Sequence, residues 1–180
     1  REGLIGKADL TDLVAATSAP TEGKLDNPRE LRYLKARLKG VDLAGLDISG
    51  DRQTLDHDVV EVRRETIDVR DEASFPIRDG HVLPFTFPSQ FIQSDDRRII
   101  TQARALADGT TSPLDKISRI VTWVYENMEK RPTMSVPSAV DVLETKVGDC
   151  NEHAVLAAGL LRAAGIPTKT VVGVLYSDGR

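Results

Sequence analysis

Residues 147–167, VGDCNEHAVLAAGLLRAAGIP, decide the fold of the C-terminal half of this chain. Asp149 is the expected N-cap of a helix, because a short carboxylate accepts hydrogen bonds from the unpaired N–H groups of the first turn. The helix is predicted to run to about Ala164, where Gly165 and Pro167 form the usual stop. Beyond its first turn it is apolar on nearly every face, so we expect it to lie buried in the middle of a domain.

The single cysteine of the chain, Cys150, falls on the first turn of this predicted helix. A thiolate is favoured there by the positive end of the helix dipole and by unpaired N–H groups, so Cys150 is the candidate catalytic residue, as a nucleophile. The alternative interpretation is a small core residue, which is the commoner role of a lone cysteine near a buried helix. His153 lies one turn later on the same face. We interpret it as a packing or supporting residue, because on one rigid helix it cannot easily reach both the sulfur and a leaving group.

Residues 148–150 (GDC), the apolar helix, residues 161–167 (LRAAGIP) and the valine-rich segment that follows resemble the core of the transglutaminase-like superfamily. The resemblance covers roughly residues 91–180 and is most specific between residues 137 and 174. It implies a papain-like arrangement, in which a cysteine at a helix N-terminus meets a His and an Asp carried on following strands. It also implies acyl transfer from peptide or protein carboxamides through a cysteine thioester, with either water or an amine as the acceptor.

The end of the sequence indicates an unfinished sheet. Residues 168–176 are predicted to form a strand and residues 177–179 a hairpin turn, so that the return strand would begin at about Arg180. The resemblance places the catalytic His and Asp beyond that turn, and it matches none of the histidines of this chain, which are His57, His81 and His153. We therefore expect the N-terminal part of a catalytic core, with an incomplete antiparallel sheet, that is not competent for the reaction by itself.

The composition excludes several classes of function. With 40 % hydrophobic residues among 180 and a net charge of −4, the chain has enough apolar material for a core and no basic footprint for nucleic acid. No apolar run approaches the length of a membrane span. One cysteine allows no internal disulfide and no cysteine-based metal cluster, and no cofactor is predicted. His57 and His81 lack a partner at metal-ligand spacing and are interpreted as surface residues. The oligomeric state is left open, and an exported bacterial origin is favoured only by analogy.

The chain divides into three predicted parts, which together make an α+β protein. Residues 1–27 are weakly patterned, with a short helix possible at residues 8–16. Residues 28–90 form a β-rich unit, and residues 91–180 form the transglutaminase-like core. In the first half of the β-rich unit a helical and an alternating period compete at residues 31–41, and we favour a strand. The remaining elements of this unit are a strand at residues 59–70 and a linker with an edge-strand segment at residues 71–88.

Three cap signals predict the helices that precede Cys150. Ser94-Asp95-Asp96-Arg97 opens a helix that ends at Gly109, Ser112 with Pro113 opens a second that runs to about Glu129, and Ser138 opens a short third that ends near Glu144. Trp123 is interpreted as a core residue, with the lining of a substrate groove as the alternative. The alternative function is a binding or assembly module that keeps this fold without chemistry, the β-rich unit then serving as its working surface.

Overall fold

The computed structural model describes residues 18–50, 52–66, 79–131, 133 and 137–176. These residues fall in two compact units, one within Arg1–Val69 together with Val174–Arg180 and the other within Arg70–Gly173. The first contains the longer strands and the second contains the four helices, so the predicted α+β class is confirmed. The three-part division at residues 27 and 90 stays a prediction, and the possible helix at residues 8–16 lies outside the described residues.

The N-terminal unit contains a three-stranded antiparallel sheet in the order β1-β3-β2. Its strands are β1 (Tyr33–Arg37), β2 (Gln53–Asp56) and β3 (Val59–Arg63). The alternation in β1 follows the pleat of a strand, because its apolar residues Leu34 and Ala36 are half-buried opposite Val62 and Val60. The strand predicted over residues 31–41 is therefore confirmed over Tyr33–Arg37. The strand predicted over residues 59–70 ends at Arg63, and residues 67–70 lie outside the described residues.

The strand β2 was missed by the sequence analysis. It is only four residues long, QTLD, and its composition gives little β-propensity. What defines it is its antiparallel pairing with β3 through a two-residue turn, at which His57 adopts a left-handed φ of 55°. Spacing of the surrounding glycines alone could not reveal this hairpin.

The described part of the C-terminal unit contains four α-helices, each beginning at a side-chain cap. They are α1 (Arg97–Ala107), α2 (Pro113–Asn127), α3 (Ala139–Thr145) and α4 (Cys150–Ala163). In chain order the N-caps are Asp96, Ser112, Ser138 and Asp149, and each accepts a hydrogen bond from a backbone N–H of its first turn. These starting points confirm the predicted ones, because a cap is a local interaction that can be recognised in sequence.

Helix α4 is the centre of this unit and packs against α1, α2 and α3. The largest fully buried side chains are Ile99, Ile120, Leu156 and Leu160. Leu156 and Leu160 are one helical turn apart on α4, so the neighbouring helices pack around it. The expectation of a buried central helix is confirmed. Among the described residues, no helix combines the length and the apolar character that crossing a bilayer demands.

Residues 79–88 differ from the predicted linker with an edge strand. Leu83–Thr86 forms a single turn of 3₁₀-helix. The ring of Pro84 fixes φ of that residue near the helical range, and its nitrogen carries no N–H for the hydrogen bonds of a sheet. The Thr86 hydroxyl donates to the Leu83 carbonyl at 2.7 Å. The alternating apolar residues were therefore a wrong indication of a strand at this point; residues 71–78 lie outside the described residues.

The strand predicted at residues 168–176 is also not formed in the structure. These residues carry no regular secondary structure, and Val172 is fully exposed. A strand requires a hydrogen-bonded neighbouring strand, and among the described residues no strand pairs with this segment. High β-propensity was therefore insufficient to define the element, and the predicted turn at residues 177–179 lies outside the described part of the chain.

Candidate active site

The approach of the chain to Cys150 is fixed by two very short strands. Residues Glu129–Lys130 (β4) and Val147–Gly148 (β5) pair in parallel, immediately after α2 and immediately before α4. The Glu129 N–H donates to the Lys146 carbonyl at 2.8 Å, and the Arg131 N–H donates to the Gly148 carbonyl at 3.1 Å. This pairing ties the N-terminus of α4 to the end of α2.

The thiol of Cys150 lies at the first residue of α4, and the residue is exposed. The carboxylate of the N-cap Asp149 accepts hydrogen bonds from the N–H of Asn151, at 3.2 Å, and from the N–H of Glu152. Within the described residues, the N–H of Cys150 itself has no hydrogen-bond acceptor. The thiol and this N–H therefore belong to the same exposed residue.

A buried carboxylate completes this turn. Glu152 is only 3 % exposed, and its side chain reaches back to accept the N–H of Asp149 at 3.0 Å, which forms a reciprocal capping box. Its other oxygen accepts the hydroxyl of Thr133 at 2.5 Å. Burial raises the pKa of Glu152, but the hydrogen bonds from Thr133 and from the Asp149 N–H outweigh it and hold the pKa at about 2. Glu152 is therefore a charged, buried support of the helix start.

Two of these supporting residues were missed by the sequence analysis. Glu152 could have been found, because an acid three residues after an N-cap is the sequence pattern of a capping box. Thr133 carries no such signal, since it lies 19 residues before Glu152 in sequence and meets it only through the fold.

The N-cap carboxylate is itself in an unusual environment. Burial raises the pKa of Asp149, and the adjacent charge of Glu152 adds to this rise. Hydrogen bonds from the Asn151 N–H and from the Cys150 thiol oppose it. The carboxyl group of Asp149 is therefore harder to ionise than that of an ordinary aspartate.

The side chain of His153, one turn further along α4, contacts the backbone of the N-cap residue Asp149. Its Nδ1 lies 2.5 Å from the Asp149 carbonyl oxygen, and because a carbonyl only accepts, Nδ1 must carry the proton. Its Nε2 is buried and has no hydrogen-bond partner among the described residues. The structure thus directs the imidazole to the backbone of the helix start, as a support, and leaves no ring nitrogen exposed for proton transfer with a substrate.

The other two histidines lie elsewhere on the surface. The side chain of His57 is 93 % exposed, with Nδ1 at 2.7 Å from the Asp56 carboxylate, and His81 is exposed in a loop. No imidazole of the C-terminal unit, as far as it is described, is hydrogen-bonded to Cys150. The described residues also contain no group of three or more His, Cys, Asp or Glu side chains that could hold a metal ion.

Trp123 packs, partly buried, against the core of the C-terminal unit. The ammonium of Lys146 lies 5.6 Å from the centre of its ring. Trp123 therefore lies where a core residue was predicted, and the Lys146 ammonium lies over the face of its ring.

The part of the chain that carries the thiol is similar to a known protein family. Residues 100–180 match the family model described as the transglutaminase-like superfamily. No curated protein matches the chain. One similar solved structure is a "putative cysteine protease" from Cytophaga hutchinsonii, 30 % identical, with a TM-score of 0.48, covering 61 % of this chain and 39 % of that one.

A second similar structure is a "putative protease" from Parabacteroides distasonis. It is 18 % identical, with a TM-score of 0.37, and the match covers 64 % of this chain and 27 % of that chain. The present chain therefore spans well under half the length of either structure. Residues 100–180, over which the chain is similar to the transglutaminase-like superfamily, include Cys150 and all of α4.

Proposed function

We propose that this chain carries the nucleophile of a cysteine hydrolase or acyltransferase that acts on peptide or protein carboxamides, and that Cys150 is this nucleophile. The observation that carries the proposal is the pairing, in one exposed residue at the start of α4, of a thiol and a backbone N–H with no acceptor among the described residues. The superfamily match of residues 100–180 supports it independently.

The proposed chemistry uses both groups of that residue. The Cys150 thiolate adds to the carbonyl carbon of the carboxamide, and the carbonyl oxygen becomes an oxyanion that accepts a hydrogen bond from the Cys150 N–H. The amine leaves with a proton, and a thioester remains on Sγ. Water then releases an acid, as in a protease or amidase, or an amine acceptor forms a new amide, as in a transglutaminase.

Proton transfer in this scheme requires a base other than the three histidines of the chain. His153 is committed through Nδ1 to the Asp149 carbonyl, and its Nε2 is buried. His57 and His81 are exposed side chains without a hydrogen bond to a thiol. We therefore expect the chain as it stands to form a covalent adduct at Cys150 but to turn over poorly.

Alkylation of the thiol tests the proposal directly. Because Cys150 is the single cysteine, every adduct with iodoacetamide reports on this site, and Cys150→Ser is the blank. At pH 6 we expect Cys150 to react faster than N-acetylcysteine amide, since it is an exposed residue at the positive end of a helix dipole. A rate equal to or below that of the free thiol would refute the assignment of Cys150 as a nucleophile. The chain would then be better described as a binding or assembly module that keeps the fold.

A further inference from the structure

The peptide group between Asp149 and Cys150 carries the backbone N–H of the proposed nucleophile. The carbonyl of Asp149 and the N–H of Cys150 belong to one planar unit and point in opposite directions from it. Whatever fixes the direction of the Asp149 carbonyl therefore also fixes the direction of the Cys150 N–H. In the proposed reaction, that N–H is the donor to the oxyanion.

Two hydrogen bonds from His153 fix that carbonyl. The backbone N–H of His153 donates to the Asp149 oxygen at 3.1 Å, which is the first hydrogen bond of the helix ladder. The imidazole Nδ1–H donates to the same oxygen at 2.5 Å. The carbonyl is thus held by its helix bond and, in addition, by one side chain.

The second ring nitrogen of His153, Nε2, indicates that the hydrogen bond from Nδ1 to the Asp149 carbonyl is the main contribution of this side chain. Nε2 is buried without a partner among the described residues, and a buried nitrogen left unpaired costs free energy. A purely apolar side chain of similar size would avoid that cost while packing at the same position. The hydrogen bond from Nδ1 to the Asp149 oxygen is the polar interaction that His153 provides and a hydrophobic residue could not.

From this geometry we infer that His153 is a positioning residue for the oxyanion site, and the inference rests on the proposed function of Cys150. Its Nδ1–H locks the peptide plane and aims the Cys150 N–H at the place where the oxyanion forms. A donor on the carbonyl also polarises the peptide group, which strengthens the hydrogen bond that its N–H can give. His153 acts through the backbone and does not exchange protons with the substrate.

The test compares two near-isosteric replacements. In His153→Asn the amide nitrogen takes the place of Nδ1 and can still donate to the Asp149 carbonyl. His153→Leu has the same branching without a donor. The rates of two reactions at Cys150 are measured in the full chain at one pH. Iodoacetamide alkylates Sγ by displacing iodide, with no oxyanion. p-Nitrophenyl acetate acetylates Sγ through an oxyanion, releases p-nitrophenolate, and the thiol proton goes to the buffer.

The ratio of the acylation rate to the alkylation rate isolates the oxyanion donor, because the thiolate fraction and the accessibility of the sulfur enter both rates. Removing one oxyanion donor typically slows acyl transfer by about 10²–10³-fold, so a donor that is misaligned should cost roughly tenfold. We expect His153→Leu to lower the ratio by about this factor and His153→Asn to restore most of it. A merely structural role would change both rates together and leave the ratio unaltered.

Two outcomes would overturn the inference, and they are distinguishable. If the wild-type ratio exceeds that of N-acetylcysteine amide and His153→Leu keeps it, His153 has no positioning role although the proposed function stands. If the wild-type ratio equals that of the free thiol, the oxyanion donor and the proposed function fail together. Thermal unfolding verifies that each variant is folded, and His153→Ala, also without a donor, replaces the leucine variant if that one does not fold.

Discussion

The side chain of Glu152 folds back over Gly148, so closely that a Cβ atom on Gly148 would lie 2.2 Å from the Cβ of Glu152. This contact explains why a glycine precedes the helix cap. The carboxylate of Glu152 must reach the Asp149 N–H, and its path runs through the space that any side chain at position 148 would occupy. Gly148 is required because of the lack of space for a side chain. Backbone conformation is not the reason, since Gly148 is not among the residues with positive φ.

The first prediction concerns Gly148→Ala. The added methyl group would displace Glu152 from the capping box, which would strip donors from a buried charge and leave the Asp149 N–H without its acceptor. We expect a loss of about 2–4 kcal/mol in the free energy of unfolding, measured by urea denaturation. Gly80→Ala is the matched control, because nothing lies within 4 Å of a Cβ there. It should change stability by less than about 0.5 kcal/mol. Equal midpoints for the two variants would contradict the prediction.

The second prediction concerns pH. The pKa of Glu152 is lowered from an ordinary value of 4.5 to about 2 in the folded chain. A carboxyl group whose pKa is lower in the folded than in the unfolded chain stabilises the fold at pH values above the unfolded pKa. This stabilisation is lost as the pH falls through the window from about 4.5 to about 2. The stability advantage of the wild type over Glu152→Gln should therefore shrink by about 2 kcal/mol between pH 6 and pH 3, at about 1.4 kcal/mol per pKa unit.

The raised pKa of Asp149 acts in the opposite direction, because it favours the fold at low pH and disfavours it above its unfolded value. Asp149 is present in both the wild type and Glu152→Gln, so most of its contribution cancels in the difference between them. Urea unfolding at pH 6, 4.5 and 3 measures that difference. Glu126→Gln, at an exposed position of α2, is the matched control for removing a carboxylate from the surface. A difference for Glu152→Gln that stays constant over this range would refute a lowered pKa at Glu152.

The third prediction concerns the hydroxyl of Thr133, which donates to Glu152 at 2.5 Å. Thr133→Val keeps the shape of the side chain and removes this donor from a buried carboxylate. The free energy of unfolding should fall by about 1–3 kcal/mol, and the pKa of Glu152 should rise because a hydrogen bond to the charged form is lost. Thr133→Ser keeps the hydroxyl and should retain most of the stability. If valine and serine behave alike in urea unfolding at pH 6, the hydrogen bond contributes nothing measurable.

These residues also mark the limit of what the sequence could predict. The four helix starts were predictable, because Asp96, Ser112, Ser138 and Asp149 satisfy N–H groups only two or three residues away. The position of Cys150 at a helix N-terminus follows from the same signal. Contacts that depend on the fold were not predictable. Thr133 reaches Glu152 across 19 residues, and the parallel β4–β5 pair that brings the two segments together is only two residues long on each side.

The errors have a common physical cause. Strands were expected wherever apolar residues alternated or clustered, as at Phe85 and Phe87 and at residues 168–176. A strand exists only where a neighbour completes its hydrogen bonds, and β2 shows the converse, since pairing with β3 makes a strand of four residues with little β-propensity. Local signals therefore predicted the helices and the two longer strands, and they failed where pairing alone decides whether a strand forms.

The last prediction concerns the crossing of α3 and α4. A Cβ on Gly159 would lie 2.9 Å from the Cβ of Ala139, a distance that forces the helices apart. Replacing a helical glycine with alanine normally stabilises by about 1 kcal/mol, whereas overpacking a tight core costs about 1–3 kcal/mol. Because Ala139 Cβ is attached directly to a backbone that is fully buried, it cannot yield cheaply, so the overpacking cost should prevail. We expect Gly159→Ala to lower the free energy of unfolding by about 1–2 kcal/mol.

A double-variant cycle tests whether this contact is the cause. Ala139→Gly removes the opposing methyl group, so in the double variant the alanine at position 159 should regain its helical advantage. The coupling free energy between the two positions should then be at least about 1 kcal/mol and favourable, measured by urea denaturation of the four proteins. Strictly additive effects would mean that the two helices separate without cost, and Gly159 would then owe its place to some contact other than that with Ala139.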